Sequence, residues 1–290
     1  MSLQDIILKL QEFWSLNGCC IVSGYDHEVG AGTMTPDTFF RVLGKKPWRI
    51  AYWQPSRRPD DGRYGENPNR VQKHNQFQVI LKPVPEDGQN LYFNSLQQLG
   101  VDIRNHDIKF DEDNWASPSL GAWGVGWQVM CDGLEITQYT YFQQAGGLEL
   151  NPNSLEITYG LERLAMFLEG QSNIYNLTWG HKVSYSDFRH EEEKQFSIYN
   201  FEYAHIDFLR SIFNQYQDEA ERLIKANLYL PAFDLVLKCS HTFNILDARK
   251  AISIAERTTL MATLRNLSSQ IARKYIEHTE GKPKEEETRV

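Results

Sequence analysis

The run Val125–Cys131, the pair Asp132-Gly133 and the run Leu134–Phe142 constrain the fold more than any other segment. An Asp-Gly turn between two alternating runs is a strong local signal for a β-hairpin. Upstream, 49–56 (RIAYWQPS) and 77–82 (FQVILK) are rich in β-formers and bracket a polar stretch with Asp-Gly, Glu-Asn-Pro and Asn-Arg, which predicts two strands joined by a long loop. Consecutive hairpins mean an antiparallel sheet.

Helices bound this sheet in sequence. Ser2 and Asp5 form an S-x-x-D cap ahead of Leu3, Ile6, Ile7, Leu10 and Trp14, which share a helical face, and Gly18 suits the stop. From about Phe201 the period becomes helical, with Leu209, Ile212, Phe213, Tyr216, Ala220 and Leu223 on one face. Pro231 suits a helix start, and Leu260, Leu264, Leu267 and Ile271 form the stripe of another helix. The expected architecture is α+β: an antiparallel domain over 1–185, a helical domain over 186–280 and a flexible tail over 281–290.

Composition narrows the function classes. With 290 residues, 41% hydrophobic and 12% aromatic, the chain can bury a sizeable core. The N-terminal helix carries Gln, Asp, Lys and Glu, unlike a signal peptide or a membrane span, so the reading is cytoplasmic with no membrane role. Cys19, Cys20, Cys131 and Cys239 lack ligand spacing and read as free thiols. A net charge of −8 opposes a long nucleic-acid footprint made by this chain alone, so an RNA role calls for a partner.

Two segments carry the chemistry. The stretch QPSRRPDDGRYGENPNRVQKHNQFQVI places Arg57, Arg58, Arg63 and Arg70 beside two strands. Guanidinium groups bind phosphate bidentately and stay charged when partly desolvated, so such a cluster suits a polyphosphate, with Phe77 available to stack on a base. The alternative is a solvated loop whose arginines pair with its own Asp60, Asp61 and Glu66. The second segment, EITYGLERLAMFLEG (156–170), runs from extended chain into a helix at Gly160, with Arg163 in the first turns and Leu161, Leu164, Ala165 and Leu168 facing the core. A Gly-rich passage, VSGYDHEVGAGTMTP, allows close backbone approach at Gly24, Gly30 and Gly32, as a ligand or a packed loop would use.

Together these segments resemble motifs 2 and 3 of class II aminoacyl-tRNA synthetases, and more closely the α subunit of bacterial heterotetrameric glycyl-tRNA synthetase. Matching phrases include EVGAGT, QPSRRP, DGRYGENPNR, QFQVI, EDNW, LGAWGVGW, TYFQQ, ITYGLERLAM, YNFEYA and FNILDARKAIS. The resemblance implies a class II sheet flanked by helices that makes glycyl-adenylate from glycine, ATP and Mg2+ and passes the glycyl group to tRNA. It further implies that Arg57 or Arg58 contacts the α-phosphate, that Arg70 and Arg163 contact the outer phosphates, and that Phe77 takes the adenine. Arg63, Glu66 and Gln78 complete the expected ATP set. Thr33, Trp115, Gln128, Glu135 and Gln138 form the amino-acid set, and Glu135 and Glu156 are the magnesium candidates. A separate β subunit would carry most tRNA contacts, and this chain would pair with itself through its first helix and the segment after it.

Several positions depart from the family pattern. Ser23-Gly24 stands for Gln-Pro, His27 for Met, Gln128 for a carboxylate and Met130 for a large aromatic. Ala116, Asp111, Lys73, His74 and Asn75 differ as well. Glutamine at 128 would remove about 1.5–3 kcal/mol of charged hydrogen bonding if a carboxylate there held the substrate ammonium. Two enzyme readings follow, a glycine–tRNA ligase subunit or a paralogue that activates another acid or uses another acceptor. A third, a non-catalytic binding chain, fits poorly with the retained arginines.

Overall fold

In the computed structural model, which describes residues 1–281, the chain opens with α1 (Leu3–Leu16), β1 (Cys20–Ile21) and α2 (Pro36–Val42). Next come β2 (Trp48–Arg57), β3 (Lys73–Lys82), α3 (Gly88–Gln98), β4 (Ile108–Glu112), β5 (Trp115–Ser117), β6 (Ala122–Cys131), β7 (Leu134–Ala145) and β8 (Leu148–Gly160). The remainder is α4 (Leu161–Glu169), a small β9 (Thr178–Gly180) and β10 (Val183–Ser184) pair, α5 (Tyr185–Ile198), α6 (Ile206–Lys225), α7 (Tyr229–Ala248) and α8 (Ile254–Glu280). The architecture is α+β, a large antiparallel sheet flanked by helices with a helical region after it. Of the expected tail at 281–290, residues 282–290 lie outside the described residues.

The strand order is β1-β2-β3-β8-β7-β6-β4, with β5 also on β6, and all pairs are antiparallel except β1 with β2. The β6–β7 hairpin turns at Asp132 (φ 49°) and Gly133 (φ 82°), two successive positive-φ positions of the kind that match the twist of the flanking strands. The strand expected at 77–82 is longer than its apolar run. Lys73–Gln76 pair with Arg57–Gln54, with His74 and Gln76 facing a cavity while Lys73 and Asn75 turn to Glu192 and Glu162 on the other side.

Side chains alternate between two very different faces. Ala51, Phe77, Val79, Tyr139, Ile157 and Tyr159 point to one side, where α1, α3 and α4 cover them with Ile6, Leu10, Trp14, Tyr92 and Leu164. On the other side Ile50, Tyr52, Ile80 and Phe142 form the apolar end, covered by Phe39 and Phe40 of α2 together with Phe233, Val236, Leu264 and Ile271 from the C-terminal helices. The helices after residue 185 thus share a core with the sheet. The remainder of this second face is polar. Gln54, Gln76, Gln78, Thr158, Glu156 and Gln138 occupy it in neighbouring strands.

Helix ends show why the segments stop where they do. Ser2 and Asp5 make the reciprocal capping box expected from the sequence, as do Ser184 and Asp187 for α5. The last carbonyls of α2 receive a buried ammonium: Lys82 Nζ donates to Arg41 O (3.1 Å), Val42 O (3.1 Å) and Leu43 O (2.8 Å). Burial there pushes the Lys82 pKa down to about 8. Among the described residues no helix is long and apolar enough to cross a membrane.

Candidate active site

The polar face of the sheet forms the floor of a cavity of about 360 Å3. At its base Glu156 of β8 is only 1% exposed. Its Oε1 accepts from Thr33 Oγ1 at 2.6 Å and from the Gln78 amide, whose Oε1 in turn accepts from Thr158 Oγ1 at 2.7 Å. Glu156 Oε2 has no protein partner among the described residues. Burial pushes the Glu156 pKa up to about 7, and the Thr33 and Gln78 donors only partly oppose that rise.

Thr33 reaches Glu156 because the Gly-rich segment lies flat on the sheet. Gly32 N donates to Gln76 Oε1 at 2.9 Å, and Arg58 Nε donates to Gly30 O at 2.9 Å. A Cβ on Gly32 would sit 2.7 Å from Gln78 Oε1, so only glycine lets the backbone approach that closely. The earlier part of the segment is tied to the C-terminal helices: Asp234 of α7 accepts from the Tyr25 hydroxyl and lies 3.3 Å from His27 Nε2.

The walls are charged. Arg58, Arg70 and Arg163 all line the cavity, with Asp61, Glu135, His74 and Trp115 among its other residues. Arg163, in the first turn of α4, pairs with Glu135 of β7. The helix start is fixed by buried Glu162, which accepts from Asn75 N, Asn75 Nδ2 (2.7 Å) and the Tyr185 hydroxyl (3.0 Å). Arg70 lies 3.7 Å from Asp61. His74 is enclosed, and burial first, then the Arg58 and Arg163 charges, push its pKa down to about 3. Its imidazole is therefore neutral at physiological pH.

Thr33, Arg58, Arg70, Trp115, Glu135, Gln138, Glu156 and Arg163 are thus brought together around one cavity, as a joint site requires. Six other sequence candidates are not on its wall. Phe77 is fully buried on the opposite face of β3, 6.2 Å from the Tyr159 ring, so it has no surface to offer a base. Arg57 also points to the far side, its guanidinium 5.1 Å over the Phe196 ring of α5. Gln78 is fully buried beneath Thr33 and supports the floor without reaching the cavity. Gln128 shares the face of Gln138 but stands one strand further out, opposite it on β6.

Arg63 and Glu66 are carried away by the loop between β2 and β3. Glu193 of α5, 3% exposed, accepts from Arg63 N and Gln72 N, both at 2.8 Å, and so clamps both ends of that loop. Arg63 Nη1 turns back to Asp60 O and Gly62 O, and Glu66 is exposed. The sequence reading missed His74, Gln76, Asp61 and Thr158. Strand alternation from Gln78 would have found Gln76 and His74, had the strand been read back to Lys73.

With this geometry in view, comparison with known proteins is decisive. Residues 3–280 match the family model described as glycyl-tRNA synthetase alpha subunit. A curated relative from Coprothermobacter proteolyticus, named glycine–tRNA ligase alpha subunit, is 54% identical over 282 residues, covering 97% of each chain.

The chain belongs to the glycyl-tRNA synthetase alpha subunit family.

Among solved structures, two structures of pyrrolysyl-tRNA synthetase from Desulfitobacterium hafniense align with TM-scores of 0.44 and 0.43, at 16% and 14% identity, over 63% of this chain and 75% and 74% of theirs. The positions that the sequence reading set apart from the family pattern can now be placed. Ser23, Gly24, His27, Asp111, Ala116, Gln128 and Met130 are all absent from the cavity wall, and His74 is the one such residue on it. Gly24 is pressed against β2, where a Cβ would lie 2.4 Å from Trp53 O.

Proposed function

We propose that this chain activates glycine with ATP and transfers it to tRNA as the catalytic subunit of a glycine–tRNA ligase, working in the cytoplasm with a β subunit and as a homodimer. The observation that carries this reading is the cavity itself. It combines three arginines, a buried carboxylate with one free oxygen, and a floor untouched by the departures at 23, 24, 27 and 128.

In this reading the glycine ammonium sits at Glu156 Oε2 and Thr33. An arriving cation favours the charged carboxylate, so a group whose pKa stands near 7 when empty becomes fully ionised on binding. Thr33 and Thr158 line the same floor beside Glu156. The carboxylate of glycine then attacks the α-phosphorus of ATP, the bond to the bridging oxygen breaks, and pyrophosphate leaves. Arg58 takes up charge on the α-phosphoryl oxygens, while Arg70 and Arg163 hold the outer phosphates. No protein nucleophile is needed. The base lies against the neutral imidazole of His74, a role that buried Phe77 cannot fill.

Magnesium fits the carboxylate set modestly, as expected of an ion that keeps several waters. Glu135, half-exposed beside Arg163, would hold it, and the ion would neutralise charge on the phosphates. Glu156, with Oε1 committed to two donors, suits the ammonium better.

Amino-acid-dependent exchange of pyrophosphate into ATP, measured with the chain co-expressed with its β subunit, tests the proposal. Glycine should drive exchange above any other amino acid, and Arg163→Ala should abolish it. Exchange with a different acid and none with glycine would sink the glycine assignment. Near-full exchange in the Arg163 variant would sink the phosphate assignment.

A further inference from the structure

Away from the cavity wall, three side chains with metal-ligating atoms meet where β4 joins the tip of the β6–β7 hairpin. The donor atoms of His106, Cys131 and Asp132 all lie within 4.8 Å of one another. His106 stands twenty-six residues before Asp132, and the pairing of β4 with β6 brings the two together, with Ile108 opposite Cys131. Cysteine spacing along the chain does not show such a meeting. None of the three lines the cavity.

Each of the three is held by its surroundings. Asp132 Oδ1 accepts from Asp107 N at 2.8 Å, and Oδ2 faces His106 Nδ1 at 2.8 Å. These contacts, the backbone one first, keep the Asp132 carboxyl below the usual carboxylate range. The His106 ring rests edge-on to Phe167 of α4, with 4.9 Å between ring centres. Cys131 is fully buried, yet its Sγ makes no hydrogen bond among the described residues, whereas buried Cys239 donates to Phe213 O at 3.6 Å. A polar group buried in this way normally has a partner. Burial first, then the Asp132 and Asp107 charges, push the Cys131 thiol up to about 11. The same negative field that opposes a bare thiolate favours a cation beside it.

We propose that His106, Cys131 and Asp132 bind a zinc ion through imidazole nitrogen, thiolate sulfur and carboxylate oxygen, with water in the fourth position. Bonds of about 2.0–2.3 Å from a tetrahedral ion set its ligand atoms about 3.3–3.6 Å apart. His106 and Asp132 part slightly from 2.8 Å to reach that spacing, which side chains 31% and 48% exposed allow. Sulfur with imidazole selects a borderline-soft ion over hard magnesium. On binding, the S–H bond breaks, a Zn–S bond forms and the proton passes to solvent, with no change of oxidation state. Because β4 ends the strand order beside β6, the ion staples an edge strand to the hairpin.

Cobalt(II) is the probe, since a tetrahedral cobalt–thiolate site shows a sulfur-to-metal charge-transfer band in the near ultraviolet. Titrated into the full chain after chelator treatment, it should produce that band at one ion per chain, and added zinc should remove it. Cys131→Ser should abolish the band, and His106→Ala should weaken cobalt binding about tenfold or more. Cys20→Ser, which removes the exposed thiol, should leave both unchanged. Zinc at a hundredfold excess over its Kd should raise the melting temperature of the parent by about 4 °C and leave Cys131→Ser unmoved. His106 is part-exposed, so His106→Ala carries the test if the core substitution unfolds the protein. Absence of the band in the parent would overturn the proposal, as would a band that survives Cys131→Ser or cobalt affinity unaltered by His106→Ala. In the complex with the β subunit, magnesium-supported pyrophosphate exchange should stay within about twofold of the parent in His106→Ala. Loss of exchange there would assign these residues to activation and overturn the structural role.

Discussion

Replacing Glu156 by glutamine should change how the stability of this protein depends on pH, by an amount the structure supplies. The folded-state pKa is about 7 against an ordinary value of 4.5, raised by burial. A raised carboxyl pKa means that the folded state holds its proton more tightly than the unfolded chain. The group therefore costs nothing well below the unfolded pKa, and costs progressively more as pH climbs from the unfolded value through the folded one. Integrated between about pH 5.5 and about pH 8.5, the shift removes about 2 kcal/mol of stability from the parent protein. Glutamine keeps an oxygen for the Gln78 amide but has no proton to lose, so Glu156→Gln should lack that component. Urea unfolding of both proteins at the two pH values measures the difference between their slopes. Identical pH slopes would show that Glu156 does not bear a strained charge, and the account of the cavity floor would fall. The same variant should show a raised KM for glycine with little change for ATP.

His74→Ala removes the ring assigned to the base, and stacking of this kind contributes about 1–3 kcal/mol, so the KM for ATP should rise about fivefold or more with the melting temperature nearly unchanged. Phe77→Ala should do the converse, lowering stability by about 3–5 kcal/mol through a core cavity, and an ATP-specific defect there would restore Phe77 as the base partner. Gly32→Ala drives a methyl group against Gln78 and lifts Thr33 from Glu156. Loss of that charged hydrogen bond, about 1.5–3 kcal/mol, should appear as a higher KM for glycine in pyrophosphate exchange, and an unaltered KM would refute the close-approach argument.

Local rules carried much of the fold. The Asp132-Gly133 turn, the Ser2 capping box and the stripe at Leu264, Leu267 and Ile271 each depend on neighbours within a few residues, and each is present as read. The arginine cluster and the Gly160–Arg163 helix start were likewise visible as residue types suited to phosphate, and Arg58, Arg70 and Arg163 do meet at one cavity. The strand at Lys73–Gln76 was not legible, because polar side chains that face a cavity, as His74 and Gln76 do, or that meet buried partners, as Lys73 and Asn75 do, look the same in sequence as polar side chains that face solvent.

What the sequence could not decide was direction. Arg57 and Arg58 are adjacent and chemically identical, yet strand alternation sends one over Phe196 and the other into the cavity. Phe77 was a reasonable partner for a base until the sheet register turned it into the core and left His74 on the open side. Arg63 sits in the same loop as Arg70, but Glu193, more than a hundred residues later, clamps that loop and holds Arg63 away. Residue chemistry is a local property, so the sequence alone offered arginines suited to phosphate near these strands. Which face each side chain serves depends on long-range pairing and packing, and only the tertiary structure chose among them.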